Sequence, residues 1–92
     1  MTRTEHLLVC LMEECAEIQK AASKALRFGF DKCYESETTN VEDITNEFVD
    51  LVAIIEMLTA EEAIPDVDDE KFSALVRAKQ IKVKRYMKDI SS

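Results

Sequence analysis

Three observations predict an all-α fold for this chain. It has one glycine and one proline among 92 residues, whereas proteins built from many short strands and turns use both often. Three long segments carry apolar side chains at helical spacing, and helix-start and helix-stop residues separate them. We therefore expect one antiparallel helical bundle of three long helices. Because such a chain buries only a modest core, we expect association with further copies to complete four-helix bundles.

Residues that start or stop helices set the expected boundaries. Gly29 accepts the left-handed backbone conformation that often ends a helix, and Thr39 and Glu42 have the spacing of a capping box. Pro65 stops the second helix, and Asp66 or Asp68 can cap the third. We expect a single domain with helix 1 at about residues 4–28, a loop at 29–39, helix 2 at about 40–63, a linker at 64–68 and helix 3 at about 69–89.

Charge and cysteine content narrow the class of protein. The formal net charge of −7 repels phosphate backbones, so we expect no nucleic-acid partner. No apolar run is long enough for a signal peptide or a membrane span, so we expect no membrane association. The three cysteines are odd in number and lack a CxxC spacing, which is typical of reduced cysteines in a cytoplasmic protein.

Acidic side chains interrupt the apolar sides of the first two helices. A helix turns about 100° per residue, so the apolar stripe of each helix follows from the sequence. These stripes contain Leu8, Leu11, Cys15, Ile18, Ala22 and Leu26 in helix 1, and Ile44, Phe48, Leu51, Ile54, Ile55 and Leu58 in helix 2. Glu14 lies at the edge of the first stripe, with Glu17 one turn on. Glu47 lies inside the second stripe, with Asp50 at its margin.

These inward carboxylates predict a metal site. An ionised carboxylate buried without a partner costs several kcal/mol, so two inward pairs require cations. Four carboxylates without a neighbouring Cys or His form an all-oxygen site, which suits Mg²⁺ or Mn²⁺. The alternative is a solvated face or salt bridges, and it is the better interpretation for Glu13, Asp43 and Glu56. This alternative fits Glu14, Glu17, Glu47 and Asp50 less well, because a solvated face does not run through an apolar stripe.

The third helix carries basic side chains on its apolar side. Lys79 lies within the stripe of that helix and Lys82 at its edge. Both are candidates for contacts with the β- and γ-phosphates of a substrate. Lys79 can instead pair with an inward acid or extend to the surface. Tyr86 can donate to a phosphate or sugar, or belong to the core. Lys24 in helix 1 is a further candidate phosphate contact.

Two short motifs resemble a known superfamily. Glu13-Glu14-Cys15-Ala16-Glu17 followed by Glu47-Phe48-Val49-Asp50 resembles the EExxE…ExxD signature of the all-α nucleoside triphosphate pyrophosphohydrolases. That superfamily includes MazG, the dimeric dUTPases, the dCTP pyrophosphatases and phosphoribosyl-ATP pyrophosphohydrolase. The segment AASKALRFG at residues 21–29 resembles the short MazG-like proteins often encoded by phages. The resemblance covers about residues 5–88.

The resemblance implies both chemistry and assembly. It implies hydrolysis of a nucleoside triphosphate between the α- and β-phosphates, giving the monophosphate and pyrophosphate. The Mg²⁺ ligands that it implies are Glu14, Glu17, Glu47 and Asp50. It also implies a homodimer or homotetramer whose site is often completed by a neighbouring subunit. Glu13, or another carboxylate of the site, would orient or deprotonate the attacking water.

Two functions of other classes compete with the hydrolase. A non-catalytic helical module for oligomerisation or partner binding explains the amphipathic helices, but it does not explain acids and Lys79 inside apolar stripes. A nucleotide-binding regulator would keep the site without turnover. The preferred base cannot be derived from the sequence, because a few polar groups in the pocket wall would set it.

Overall fold

The computed structural model describes residues 1–33 and 37–90. Its helices are α1 (Arg3–Phe28), α2 (Asn40–Ala60) and α3 (Asp69–Met87). The described ranges contain no strand, and one isolated bridge pairs Cys33 with Thr39. The predicted all-α class is therefore confirmed. Residues 34–36 of the predicted loop, and residues 91 and 92, lie outside the described ranges.

Local side-chain chemistry sets the ends of the helices. Thr39 and Glu42 form the predicted capping box: the Thr39 hydroxyl accepts from the Glu42 amide at 3.2 Å, and the Thr39 amide donates to the Glu42 carboxylate at 3.0 Å. Thr2 and Glu5 form a second box at the start of α1. The second helix ends three residues earlier than predicted, because Glu62 adopts the left-handed conformation with a φ of 59°.

Helices α1 and α2 form an antiparallel pair. At one end Arg3 forms an ion pair with Glu61. At the other end the buried Asn40 side chain donates from Nδ2 to the Gly29 carbonyl at 2.8 Å. These contacts join the start of each helix to the end of the other, so the middle of α1 lies against the middle of α2. We call this unit the α1–α2 hairpin.

The seam of the hairpin follows only one margin of each predicted stripe. Leu7, Ala21 and Ala25 are the buried apolar residues of α1, and the small side chains at 21 and 25 let α2 approach closely. That line carries Glu14 between Leu7 and Ala21. Of the twelve side chains in the predicted stripes, Leu58 is buried, and six are half-buried, namely Leu11, Ile18, Ala22, Ile44, Leu51 and Ile54. The other five remain open, among them Leu26 at 79 % and Phe48 at 55 % exposed. One margin of each predicted stripe therefore lies in the seam, and the other margin faces away from it.

Helix α3 does not pack on the hairpin. Within the described ranges its backbone comes close to neither α1 nor α2, and each of its residues is exposed. Only near its start does it approach α2, where Phe72 borders a groove that Ile55 and Thr59 also line. The radius of gyration is 16.2 Å, against about 12 Å for a compact domain of this length. The predicted bundle of three helices is thus not formed by a single chain. The linker after Glu61 leads α3 away from the hairpin, and the apolar side chains of α3 remain uncovered.

Candidate metal centre

Three of the predicted carboxylates meet at the seam of the hairpin. Oxygen atoms of Glu14, Glu47 and Asp50 all lie within 4.8 Å of one another. The antiparallel pairing causes this meeting, since it sets the middle of α1 against the middle of α2. Glu14 and Glu47 are half-buried, and Asp50 is exposed. The group is therefore accessible from solvent while two of its members sit between the helices.

Electrostatic repulsion concentrates on Glu47. Burial raises the pKa of its carboxyl above the ordinary glutamate value, and the negative charges of Glu17, Asp50, Glu14 and Asp43 raise this pKa further. In the described part of the chain, no basic side chain forms an ion pair with Glu14, Glu47 or Asp50. The cluster therefore carries negative charge that a bound cation would stabilise.

The other acidic candidates lie around this group. Glu17 is exposed on α1, one turn beyond Glu14, and its charge acts on Glu47 more strongly than that of any other carboxylate. Glu13 is exposed on α1. Asp43 was interpreted from the sequence as a solvated acid, but it is half-buried, acts on Glu47 and accepts a hydrogen bond from the Thr38 hydroxyl. The sequence feature that could have placed Asp43 near the cluster is its spacing from Glu47 and Asp50, which puts all three residues on one side of α2.

The basic candidates lie away from the cluster within one chain. Lys79, Lys82 and Tyr86 are exposed on α3, and the backbone of α3 comes close to neither helix of the hairpin. Lys79 borders an apolar depression with Phe72, while Lys82 and Tyr86 border a separate one. Lys24 is half-buried on α1, about 15 Å along the helix axis from Glu14.

The donor set fits a hard divalent cation. Each ligand atom is a carboxylate oxygen, which Mg²⁺ and Mn²⁺ prefer over nitrogen or sulfur. Mg²⁺ commonly uses one or two protein carboxylates and completes its shell with water and substrate phosphates. Glu14, Glu47 and Asp50 match that pattern, with Glu17 near enough to contribute charge.

Comparisons with known proteins identify no relative. No family model, no curated protein and no solved structure matches this chain. Among the described residues, no helix is both long and apolar enough to cross a bilayer. Function is therefore inferred from the chemistry of the carboxylate cluster and from the motifs that form it.

Proposed function

We propose that this protein is a Mg²⁺-dependent nucleoside triphosphate pyrophosphohydrolase that converts a nucleoside triphosphate and water to the monophosphate and pyrophosphate. The observation that carries the proposal is the meeting of Glu14, Glu47 and Asp50 at one seam. These residues come from the two motifs that resemble the superfamily signature.

The residues have distinct roles in this proposal. Glu14, Glu17, Glu47 and Asp50 hold Mg²⁺. When bound, the ion supplies charge stabilisation on the phosphate oxygens and lowers the pKa of a water molecule. Water adds across the α–β anhydride, the bridging bond breaks, and pyrophosphate leaves. Glu13 is the candidate for orienting this water and accepting its proton.

The proposed working form is a homodimer or homotetramer. Lys79 and Lys82 lie on a helix that does not reach the cluster of its own chain. We assign them to the β- and γ-phosphates of a substrate held in a neighbouring copy, with Tyr86 and Lys24 as further contacts. Charge supports this assignment, because seven of the twelve basic side chains follow Asp68, together with only three of the nineteen acidic ones.

The competing function is a non-catalytic helical module, which the large open apolar surface favours. Thermal unfolding with Mg²⁺ and nucleoside triphosphates separates the two. A ligand that binds the native state must raise the melting temperature, so the hydrolase should be stabilised by Mg²⁺ and further by nucleotide. The module should respond to neither. Phosphate release in the presence of added pyrophosphatase then separates an enzyme from a nucleotide-binding regulator.

Glu56 provides a matched control for this experiment. It lies on α2, as Glu47 does, but it is exposed and turned about 180° from Glu47. Glu47→Gln should abolish the Mg²⁺ response, whereas Glu56→Gln should retain it. An equal response in both variants would remove the carboxylate cluster from the proposal.

A further inference from the structure

A sulfur ligand and a nitrogen ligand meet on α1, outside the carboxylate cluster. The Sγ atom of Cys10 lies 3.7 Å from Nε2 of His6. The two residues are four positions apart in the sequence, so their side chains lie on the same side of the helix. This is the spacing at which a helix supplies two ligands to a single Zn²⁺ ion.

The distance between these two atoms matches a tetrahedral zinc site. Zn²⁺ binds thiolate sulfur at about 2.3 Å and imidazole nitrogen at about 2.0–2.1 Å. At the tetrahedral angle of about 109°, bonds of these lengths place the sulfur and the nitrogen about 3.6 Å apart. The pair therefore has nearly the separation that the ion requires. The ion binds the thiolate, so binding releases the thiol proton.

The fold holds the backbone of this pair in position. A capping box fixes the first turn of α1, and the ion pair between Arg3 and Glu61 joins that turn to α2. Leu7, next to His6, is only 5 % exposed in the seam, which fixes the rotation of α1 about its axis. Side chains on a backbone held in this way keep their ligand geometry at little cost in entropy.

Glu13 supplies a third ligand of suitable chemistry. It follows Cys10 by one turn on the same side of α1, and its side chain is exposed. Because an exposed glutamate moves freely between rotamers, its carboxylate can turn toward the pair without a movement of the backbone. Zn²⁺ binds carboxylate oxygen as well as sulfur and nitrogen, and three protein ligands with one water are typical of an open zinc site.

We propose that His6, Cys10 and Glu13 form a Zn²⁺ site that is separate from the carboxylate cluster. Nitrogen and sulfur ligands favour Zn²⁺ over Mg²⁺, whereas the cluster offers only oxygen. Cys10 lies about 6 Å along the helix axis from Glu14, and His6 lies a further turn away. Zn²⁺ would withdraw Glu13 from the water of the proposed hydrolysis, but the site does not depend on that activity and is tested without nucleotide.

Co²⁺ is the probe for this site, because it replaces Zn²⁺ and its bond to a thiolate gives a charge-transfer band in the near ultraviolet. The reduced full chain should be titrated with Co²⁺ in excess Mg²⁺, which competes for the carboxylate cluster. The band should appear and saturate at one Co²⁺ per chain, and Zn²⁺ should abolish it. Cys10→Ser should lose the band, and His6→Asn and Glu13→Gln should each weaken Co²⁺ binding by at least about tenfold.

Cys15 provides the matched control for the titration. It is exposed on the same helix but turned about 140° from Cys10, so Cys15→Ser should retain the band and the wild-type affinity. A wild type without the band, or a band that persists in Cys10→Ser, would overturn the proposal. Wild-type affinity in His6→Asn would also overturn it, since the metal would then bind a thiol without the imidazole.

Alkylation of the wild-type protein covers the case in which a variant fails to fold. Zn²⁺ should slow the alkylation of Cys10 and leave the rates at the exposed Cys15 and Cys33 unchanged, as mass spectrometry of the three peptides would show. Mg²⁺ at the same concentration should protect none of them. Equal protection of all three thiols by Zn²⁺, or no protection of Cys10, would show that His6 and Cys10 do not hold the ion.

Discussion

Glu14 of α1 and Glu47 of α2 bring carboxylate oxygens within 4.8 Å of each other across a helix seam. The seam is otherwise formed by small and aliphatic side chains such as Ala21 and Leu58. A like-charged pair at this position opposes the association of the two helices. The repulsion therefore lowers the stability of the hairpin at this position, which is typical of a binding site.

Neutralising Glu47 should slow catalysis strongly without harming the fold. Glu47→Gln retains the shape of the side chain and removes its charge from the centre of the cluster. The rate of nucleotide hydrolysis should fall by about a hundredfold or more, the effect of losing one important electrostatic element. Steady-state kinetics beside Glu56→Gln measures this, and wild-type turnover in Glu47→Gln would exclude Glu47 from the site.

The stability of the metal-free protein should depend on pH through Glu47. Its pKa is raised in the folded state, so the folded protein binds this proton more tightly than the unfolded chain. The stability that protonation provides is complete below about pH 4.3, the ordinary glutamate pKa, and is lost as the pH rises through the folded value. The melting temperature of Glu47→Gln should therefore equal that of the wild type in acid and exceed it at neutral pH.

Magnesium supplies the control for this pH effect. Saturating Mg²⁺ at neutral pH should raise the melting temperature of the wild type and close the gap to Glu47→Gln. A constant difference between the two melting temperatures at every pH would show that Glu47 carries no extra repulsion in the folded state.

Substitution of Lys79 distinguishes a role in phosphate binding from a role as a structural counter-ion. Lys79→Met retains the stem of the side chain and removes its charge. If Lys79 serves the substrate, affinity for the triphosphate should fall by about 1.5–3 kcal/mol while the melting temperature of the metal-free protein changes little. If it pairs with Glu47 or Asp50 in the assembly, that melting temperature should fall and recover with Mg²⁺. Wild-type kinetics and stability together would exclude both roles.

Substitution of Asn40 tests how much its hydrogen bond to Gly29 stabilises the hairpin. Its side chain is 1 % exposed and donates from Nδ2 to the Gly29 carbonyl at 2.8 Å. Asn40→Ala leaves that carbonyl without its donor, so the free energy of unfolding should fall by about 1–3 kcal/mol. Chemical denaturation measures the change, and Thr45→Ala on the exposed side of α2 is the control. An equal loss in the control would show that the effect does not come from the hydrogen bond between Asn40 and Gly29.

The sequence predicts the local elements of this structure well. Gly29 and the Thr39–Glu42 box mark helix ends through contacts within a few residues, so their chemistry can be derived without the fold. The meeting of Glu14 with Glu47 and Asp50 was also foreseeable, because each lies toward the apolar side of its helix. The half-burial of Asp43 could not be predicted, since the helix wheel alone does not show which margin of α2 turns toward α1.

The packing of the helices could not be derived in the same way. The stripes of α1 and α2 follow from the sequence, yet the fully buried positions of α1 are Leu7, Ala21 and Ala25 beside its stripe. Leu26 of α1 and Phe48 of α2 lie on the margin that faces away from the seam, and the wheel of one helix does not show which margin its neighbour covers. The position of α3 depends on the linker, which leaves no periodic signal.

Identification of the reaction products shows whether the protein cleaves between the α- and β-phosphates. The protein should be incubated with Mg²⁺ and a panel of canonical and modified nucleoside triphosphates, and the products followed by phosphorus NMR. The account predicts that at least one substrate yields the monophosphate and pyrophosphate, that Glu56→Gln does the same, and that Glu47→Gln does not. Release of inorganic phosphate and the diphosphate instead, or no turnover of any nucleotide by the metal-loaded wild type, would contradict it.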